Sequence, residues 1–232
     1  MTKACAELLL SDYSRRGFVD GRGARLPSVV VRAGAPNAAT TGCFSAVVRE
    51  PLAGTDVIAP IGAHVKHAVT SSRGAVDALL SLHELPAAEV DAVLGFDRTV
   101  FVPSVAVSLN ELEQAVRAVV TPESSASLGK VTYEPDDALS AAVGSFPTRV
   151  NSRRANALGL SARLDAESIV REYAQDFPAA LHPSIRIRAD EGDVGDTSDA
   201  AKAATAAADH SVVLITGGGT GGRAYNCAGH SC

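Results

Sequence analysis

The sequence predicts an α/β fold, and three observations carry that expectation. Short β-branched apolar runs, above all Ser28-Val29-Val30-Val31-Arg32 between Pro27 and Gly34, have the continuous apolar character of strands buried in a parallel sheet. Segments with apolar residues at helical spacing alternate with those runs, and several open on a side-chain cap. Small, turn-forming loops follow directly: Ala33-Gly34-Ala35-Pro36-Asn37 can bring backbone close to a flat ligand, where open α/β sheets place ligands.

Taken in order, Met1 to Arg16 reads as a helix, with Cys5, Leu8, Leu9 and Tyr13 at helical spacing and Gly17 as its stop. Lys3 falls in the first turn, where the helix dipole disfavours a cation, and spacing alone makes it a surface lysine paired with Glu7. Asp56 to Pro60 is a short extended run. Gly62 to Arg73 then leads into a helix capped by Ser71 or Ser72, with Val76, Leu79 and Leu80 on one face. Arg98 to Val107 alternates and is read as a strand. Ser108-Leu109-Asn110-Glu111 is a capping box, and Leu112, Val116 and Val119 continue the apolar face of the helix it starts. Lys130 to Tyr133 is a short strand ended by Pro135, and Asp136 to Val143 is a short Ala-rich helix. Arg153 and Arg154 read as a solvated face, and Asp165 caps a helix carrying Ile169, Val170, Tyr173 and Phe177.

At 232 residues the chain can hold one α/β domain or a domain with an appendage. With 46% hydrophobic residues, 4% aromatic and no Trp, the core is expected to be built of Ala, Val and Leu. A formal charge of −5 without a basic stripe argues against nucleic acid or an anionic membrane as partner. No apolar run approaches the roughly 20 residues that cross a bilayer. Cys5, Cys43, Cys227 and Cys232 form no disulfide framework, so a reduced, cytoplasmic setting is expected. No metal site is expected either: the His64, Lys66 and His67 group has no carboxylate at ligand spacing, and Cys227, His230 and Cys232 offer three ligands in a cramped terminus.

The run VVVRAGAPN, followed by TGCFSAVVREPLAG, resembles the segment after the catalytic helix in extended short-chain dehydrogenases of the NAD-dependent epimerase/dehydratase family, most closely the D-erythronate dehydrogenase group. That group has an Arg-Pro-Gly-x-Pro-Asn loop here, with Ala33 replacing its first proline, and an Arg-Glu-Pro-Leu-Ala-Gly helix end, matched by Arg49-Glu50-Pro51-Leu52-Ala53-Gly54. The likeness extends from Met1 to about Phe177. It implies the carboxyl-terminal portion of a Rossmann-type extended short-chain dehydrogenase with a low-complexity tail. The implied activity is NAD-dependent oxidation of a secondary alcohol to a ketone on a sugar acid such as D-erythronate.

The resemblance also assigns residues. Lys3 matches the lysine of the family's Tyr-x-x-x-Lys motif, which makes it catalytic and cofactor-binding; the tyrosine would fall four residues earlier, ahead of Met1. Tyr13, Tyr133, Tyr173 and Tyr225 are followed four positions on by Gly17, Asp137, Phe177 and Gly229, so none forms the motif. Ala33, Gly34 and Ala35 would line the nicotinamide, and Asn37, Phe44, Ser45 and Arg73 would shape the substrate pocket. Lys66 and His67 match in kind a run at the pocket mouth, in which Ala68 and Val69 replace the family's Trp and second His. A homodimer formed through the Met1 to Arg16 helix is implied too.

The tail changes character. Residues 1–178 are expected to be the carboxyl-terminal half of the dehydrogenase, 179–209 a linker with an Ala-rich helix, and 210–232 a strand with a Gly-rich terminus. Val212-Val213-Leu214-Ile215 reads as a strand, and the glycines from Gly217 resemble the Thr-Gly-x-x-x-Gly-x-Gly opening of classical short-chain dehydrogenases, with Arg223 where a glycine is expected. A flexible Gly-rich end accounts for them equally well. Two functions follow: part of an oxidoreductase, or a noncatalytic fragment of one, because a doubly wound cofactor domain needs roughly 100 residues before the catalytic helix.

Overall fold

The computed structural model describes residues 2–35, 39–161 and 164–189, and the backbone of 211–217. Helix α1 (Thr2–Arg15) runs antiparallel to strand β1 (Asp20–Leu26), which follows it after the turn at Gly17. β1 lies between β5 (Thr99–Phe101) and β8 (Ser211–Gly217) and is parallel to both. A second sheet has the order β2 (Ser28–Val29), β4 (Lys66–Thr70), β6 (Val105–Ser108), with β2 and β4 parallel and β6 antiparallel. A third, parallel pair joins β3 (Val57–Ala59) to β7 (Val131–Tyr133).

No apolar periodicity announces β1, whose sequence is DGRGARL; close approach explains it. A Cβ on Gly21 would lie 2.4 Å from Ser14 Oγ and 2.5 Å from Leu10 Cδ1, so the glycine lets α1 settle directly on the strand. Arg22 projects to the opposite face, where it donates to the carbonyl oxygens of Leu82 and His83 at 2.6 and 2.7 Å and so ties down the carboxyl end of α3 (Ser72–Glu84). Its other amino group meets Asp20 at 2.5 Å, and the buried Arg98 shares that carboxylate while donating to the Gly21 carbonyl at 2.8 Å. Two buried arginines are thus paired with acid and with backbone, as buried charge requires. α1 and α3 on opposite faces of β1 make a three-layer α/β/α arrangement.

One core gathers Ala24, Ala78, Leu82, Val90, Leu94, Val100, Val102 and Leu158 between this sheet, α3, α4 (Ala87–Leu94) and α7 (Arg153–Ala157). The other surrounds α2 (Cys43–Leu52), α5 (Leu109–Val119) and α8 (Ala166–Asp176), with Phe44, Val47, Leu52, Leu112, Val116, Ile169 and Val170 almost wholly buried. The capping box on α5 is present as expected: Ser108 Oγ accepts from the Glu111 amide, and Glu111 accepts from the Ser108 amide at 2.7 Å. Asp136 caps α6 (Asp137–Gly144) and Asp165 caps α8.

Three sequence expectations change. Arg98 to Val107 is not one strand: Pro103, with no N–H to give a ladder, stands between β5 and β6, which belong to different sheets. α3 buries Ala75, Ala78 and Leu82, while Val76 and Leu80 are exposed, because small residues let the helix lie close to the sheet. In α1 the inward residues are Glu7 and Ser11; Leu8, Leu9 and Tyr13 face outward, and Glu7 forms a bidentate pair with Arg25 of β1. The strand expected near Val212 is β8. Of the segment expected as linker and Ala-rich helix, 190–209 lies outside the described residues, as do the glycines after Gly217 and Asn37; 181–189 are described, with Ile185 buried and Ile187 bridged to Val120. Among the described residues no helix is long and apolar enough to cross a membrane.

Candidate functional site

The segment after β2 is held by α2. The backbone amide of Arg32 donates to Ser45 Oγ at 3.2 Å, and its carbonyl oxygen accepts from Arg49 Nη1 at 2.8 Å. Ser45 and Arg49 are four apart, on one side of the helix. Arg49, 8% exposed, is in turn held by Glu50, with Nε at 2.9 Å and Nη2 at 2.6 Å from Oε1. These residues fix the backbone from which Ala33, Gly34 and Ala35 extend. All three are exposed, and Gly34 has φ +91° with open space where a Cβ would stand. Small residues presenting backbone at the carboxyl end of a parallel strand leave room for a flat ligand.

Lys3 lies in the first turn of α1, which packs along β1. Glu7 is bonded to Arg25 near the carboxyl end of β1, and Lys3 lies one turn nearer the helix amino end, about 6 Å further along. Its side chain is half-buried. Phe44 is fully buried, and Ser45 is 2% exposed with its hydroxyl committed to Arg32. Arg73 stands at the start of α3, next to Ser72, whose hydroxyl donates to the Val31 carbonyl at 3.3 Å; its Nε and Nη2 meet Asp176 Oδ1 at 2.9 and 2.5 Å and Nη1 meets Gln175 at 3.0 Å, tying α3 to the end of α8.

Sequence reasoning passed over Ser28 and Thr41. His67 of β4, 7% exposed, has Nε2 2.7 Å from Ser28 Oγ, and Ser28 Oγ lies 3.5 Å from Thr41 Oγ1 in the turn before α2. The rings of Phe44 and Phe146 flank the imidazole at 5.4 and 5.7 Å. Burial holds the His67 pKa below the usual histidine value. The signal was present in the sequence as a histidine inside an apolar strand, but its partners are 39 and 26 positions away. A separate cavity of about 460 Å³ opens at the carboxyl ends of β4 and β5, lined among others by Thr70, Asp77, Ser81, Val102, Leu160 and Glu172; it includes none of the residues singled out from the sequence.

Over 174 residues the chain is 39% identical to a D-erythronate dehydrogenase of Cupriavidus necator, across 75% of this chain and 52% of that protein. The chain is a relative of the extended short-chain dehydrogenases. A D-erythronate dehydrogenase of Haemophilus influenzae is 29% identical over 173 residues, covering 75% of this chain and 53% of its own length. Among solved structures, the nucleoside-diphosphate-sugar epimerase of Agrobacterium tumefaciens superposes with a TM-score of 0.68 at 34% identity, over 77% of this chain and 50% of that one. The L-threonine 3-dehydrogenase of Trypanosoma brucei superposes at 0.63 with 17% identity, over 78% and 54%, a likeness of fold alone. No family model matches the chain. The α/β fold is thus of the Rossmann type found in extended short-chain dehydrogenases, and the chain spans about half the length of the curated relatives it matches.

Proposed function

We propose that this chain forms the substrate-side part of an NAD-dependent oxidoreductase that oxidises a secondary alcohol of a sugar acid of the D-erythronate class. The observation that carries the reading is the double hold of Ser45 and Arg49 on Arg32, which presents Ala33, Gly34 and Ala35 as a bed of exposed backbone. Bound there, NAD would supply the hydride acceptor. Lys3 would hold the nicotinamide ribose and, through its charge, lower the pKa of the tyrosine with which the family pairs it. Phe44 would shape the pocket from below, Ser45 through the loop it fastens, and Asn37 from the loop itself. Arg73 would meet a substrate carboxylate by exchanging its pair with Asp176. The exposed apolar side of α1, with Leu8, Leu9 and Tyr13, supports a homodimer through that helix. We place the protein in the reducing cytoplasm, consistent with the free thiols of Cys5 and Cys43.

A second reading, a noncatalytic piece of such an enzyme, is favoured by the pairing of β8 along all seven residues of β1, which covers that edge with the chain's own strand.

Titration of the full chain with NADH, read by nicotinamide emission, tests the first reading. Saturable binding is expected, weakened several-fold by Lys3→Met; no saturable change, with or without D-erythronate, would overturn it in favour of the second.

A further inference from the structure

We propose that the cavity at the carboxyl ends of β4 and β5 is a binding site for a small organic cation, an aliphatic amine whose ammonium group is met by Asp77 of α3 and Glu172 of α8. Such a site does not depend on the sugar-acid chemistry proposed above, and either can fail alone.

Topology makes the space. β4 ends at Thr70 in one sheet and β5 passes into Val102 and Pro103 in another, so the carboxyl ends of strands from two sheets open onto one cavity of about 460 Å³. Crevices beyond the carboxyl ends of strands are where α/β folds hold ligands, and volumes of about 300–1,000 Å³ suit small molecules. Small residues of α3 keep it open. Gly74 and Ala78 line it, and a Cβ on Gly74 would stand 2.9 Å from Thr70 Oγ1 and 3.2 Å from Leu164 Cδ1, two side chains of the same wall.

The lining sets the ligand's chemistry. Thr70, Ser81 and Ser161 supply hydroxyls, and Val102, Leu160 and Leu164 supply an apolar side. The charged side chains among the described lining residues are the carboxylates of Asp77 and Glu172, with no Lys, Arg or His beside them. Arg73, the neighbouring guanidinium, is held by Asp176 at 2.5 Å. Asp77 is exposed, whereas Glu172 is half-buried and its Oε2 is shut away without a hydrogen-bond partner among the described residues. In native proteins such an atom is the exception. Burial raises the Glu172 carboxyl above the usual glutamate range, outweighing the Ser71 hydroxyl and the Arg73 charge that favour its ionised form. An ammonium group brings the missing charge and three donors, and its aliphatic stem can lie along the apolar side. An anion would meet two carboxylates. A metal ion is no better suited, because among the described residues no three Asp, Glu, His or Cys side chains gather as its ligands would.

The experiment titrates the full chain with diaminobutane, butanediol and succinate, which share one carbon skeleton length and differ in charge. Calorimetry should show saturable binding of the diamine and none of the diol or the diacid, and the diamine should move the ¹H–¹⁵N resonances of Gly74, Asp77, Ser81, Gly159 and Ser161. E172Q and D77N should each weaken the diamine at least about ten-fold. E123Q, at an exposed position in the turn after α5, should bind it as the parent does. Parental thermal midpoints are the proof of folding, and if E172Q fails that control, D77N, on the surface, carries the test. No saturable binding of the diamine, equal binding of the diol or the diacid, parental binding by D77N, or an equal loss in E123Q would overturn the site; the last would mean that the diamine follows the chain's overall negative charge.

Discussion

The guanidinium of Arg49 donates to the Arg32 carbonyl at 2.8 Å while Ser45, one turn earlier on α2, accepts the Arg32 amide, so a helix grips the backbone of one residue in the neighbouring loop at both its N–H and its C=O. Arg49→Gln breaks the longer arm and leaves the mostly buried Glu50 carboxylate without its cation. A loss of about 2–3 kcal/mol is expected in urea denaturation. Faster amide exchange at Ala33 to Ala35 should accompany it; unchanged exchange there would show that Ser45 alone fixes the loop.

Among the described glycines, Gly129 is the least able to accept a side chain. A Cβ there would stand 1.9 Å from the carbonyl oxygen of Thr55 and 2.3 Å from its carbon, so the backbone leading into β3 would have to move. Gly129→Ala should cost about 3 kcal/mol. Gly144→Ala, where a Cβ meets nothing, is the control and should be neutral or stabilising by up to about 1 kcal/mol. Equal thermal midpoints for the two variants would contradict this.

Burial lowers the His67 pKa in the folded chain, so below the ordinary histidine value of about 6.5 the unfolded chain takes up a proton that the folded chain resists. The stability associated with the neutral ring is present above that pH and is lost as the pH falls through the folded-state value. Urea midpoints measured between about pH 7.5 and 5.5 should therefore fall more steeply for the parent than for His67→Gln. Parallel curves would show that His67 does not contribute to the slope.

Cys5 is exposed and Cys43 is buried at the start of α2, where burial pushes its thiol up to about 11. Because the thiolate is the reactive form, iodoacetamide at about pH 8 should label Cys5 readily and spare Cys43 until denaturant is added, as read by peptide mass mapping. Early labelling of Cys43 would mean that α2 opens at its amino end.

The sequence disclosed elements whose information is local. The Ser108–Glu111 capping box, the Asp136 and Asp165 caps and the Val131–Tyr133 strand appear where side-chain chemistry within three or four residues specifies them. β1 was not legible, because its glycines answer to Leu10, Ser14 and Thr99 rather than to their neighbours. The outward faces of α1 and α3 were misjudged for a related reason: apolar periodicity marks a face but not whether a small-residue or salt-bridged face packs more closely. At the candidate site the loop could be read from its small residues, whereas the roles of Arg49 and Ser45 and the Ser28–His67 pair depend on contacts across 13 to 39 positions.

The ladder between β1 and β8 runs from Asp20–Ser211 to Leu26–Gly217, and every rung joins residues 191 positions apart. A ribosome adding about 5–20 residues per second needs roughly 10–40 s to travel that far. During that interval one side of β1 has emerged but its partner has not been made, so the nascent chain must shield an open row of amides and carbonyls by other means. The short length of β1, its two arginines and the early arrival of α1 across one face are features that would limit wayward pairing until β8 is synthesised.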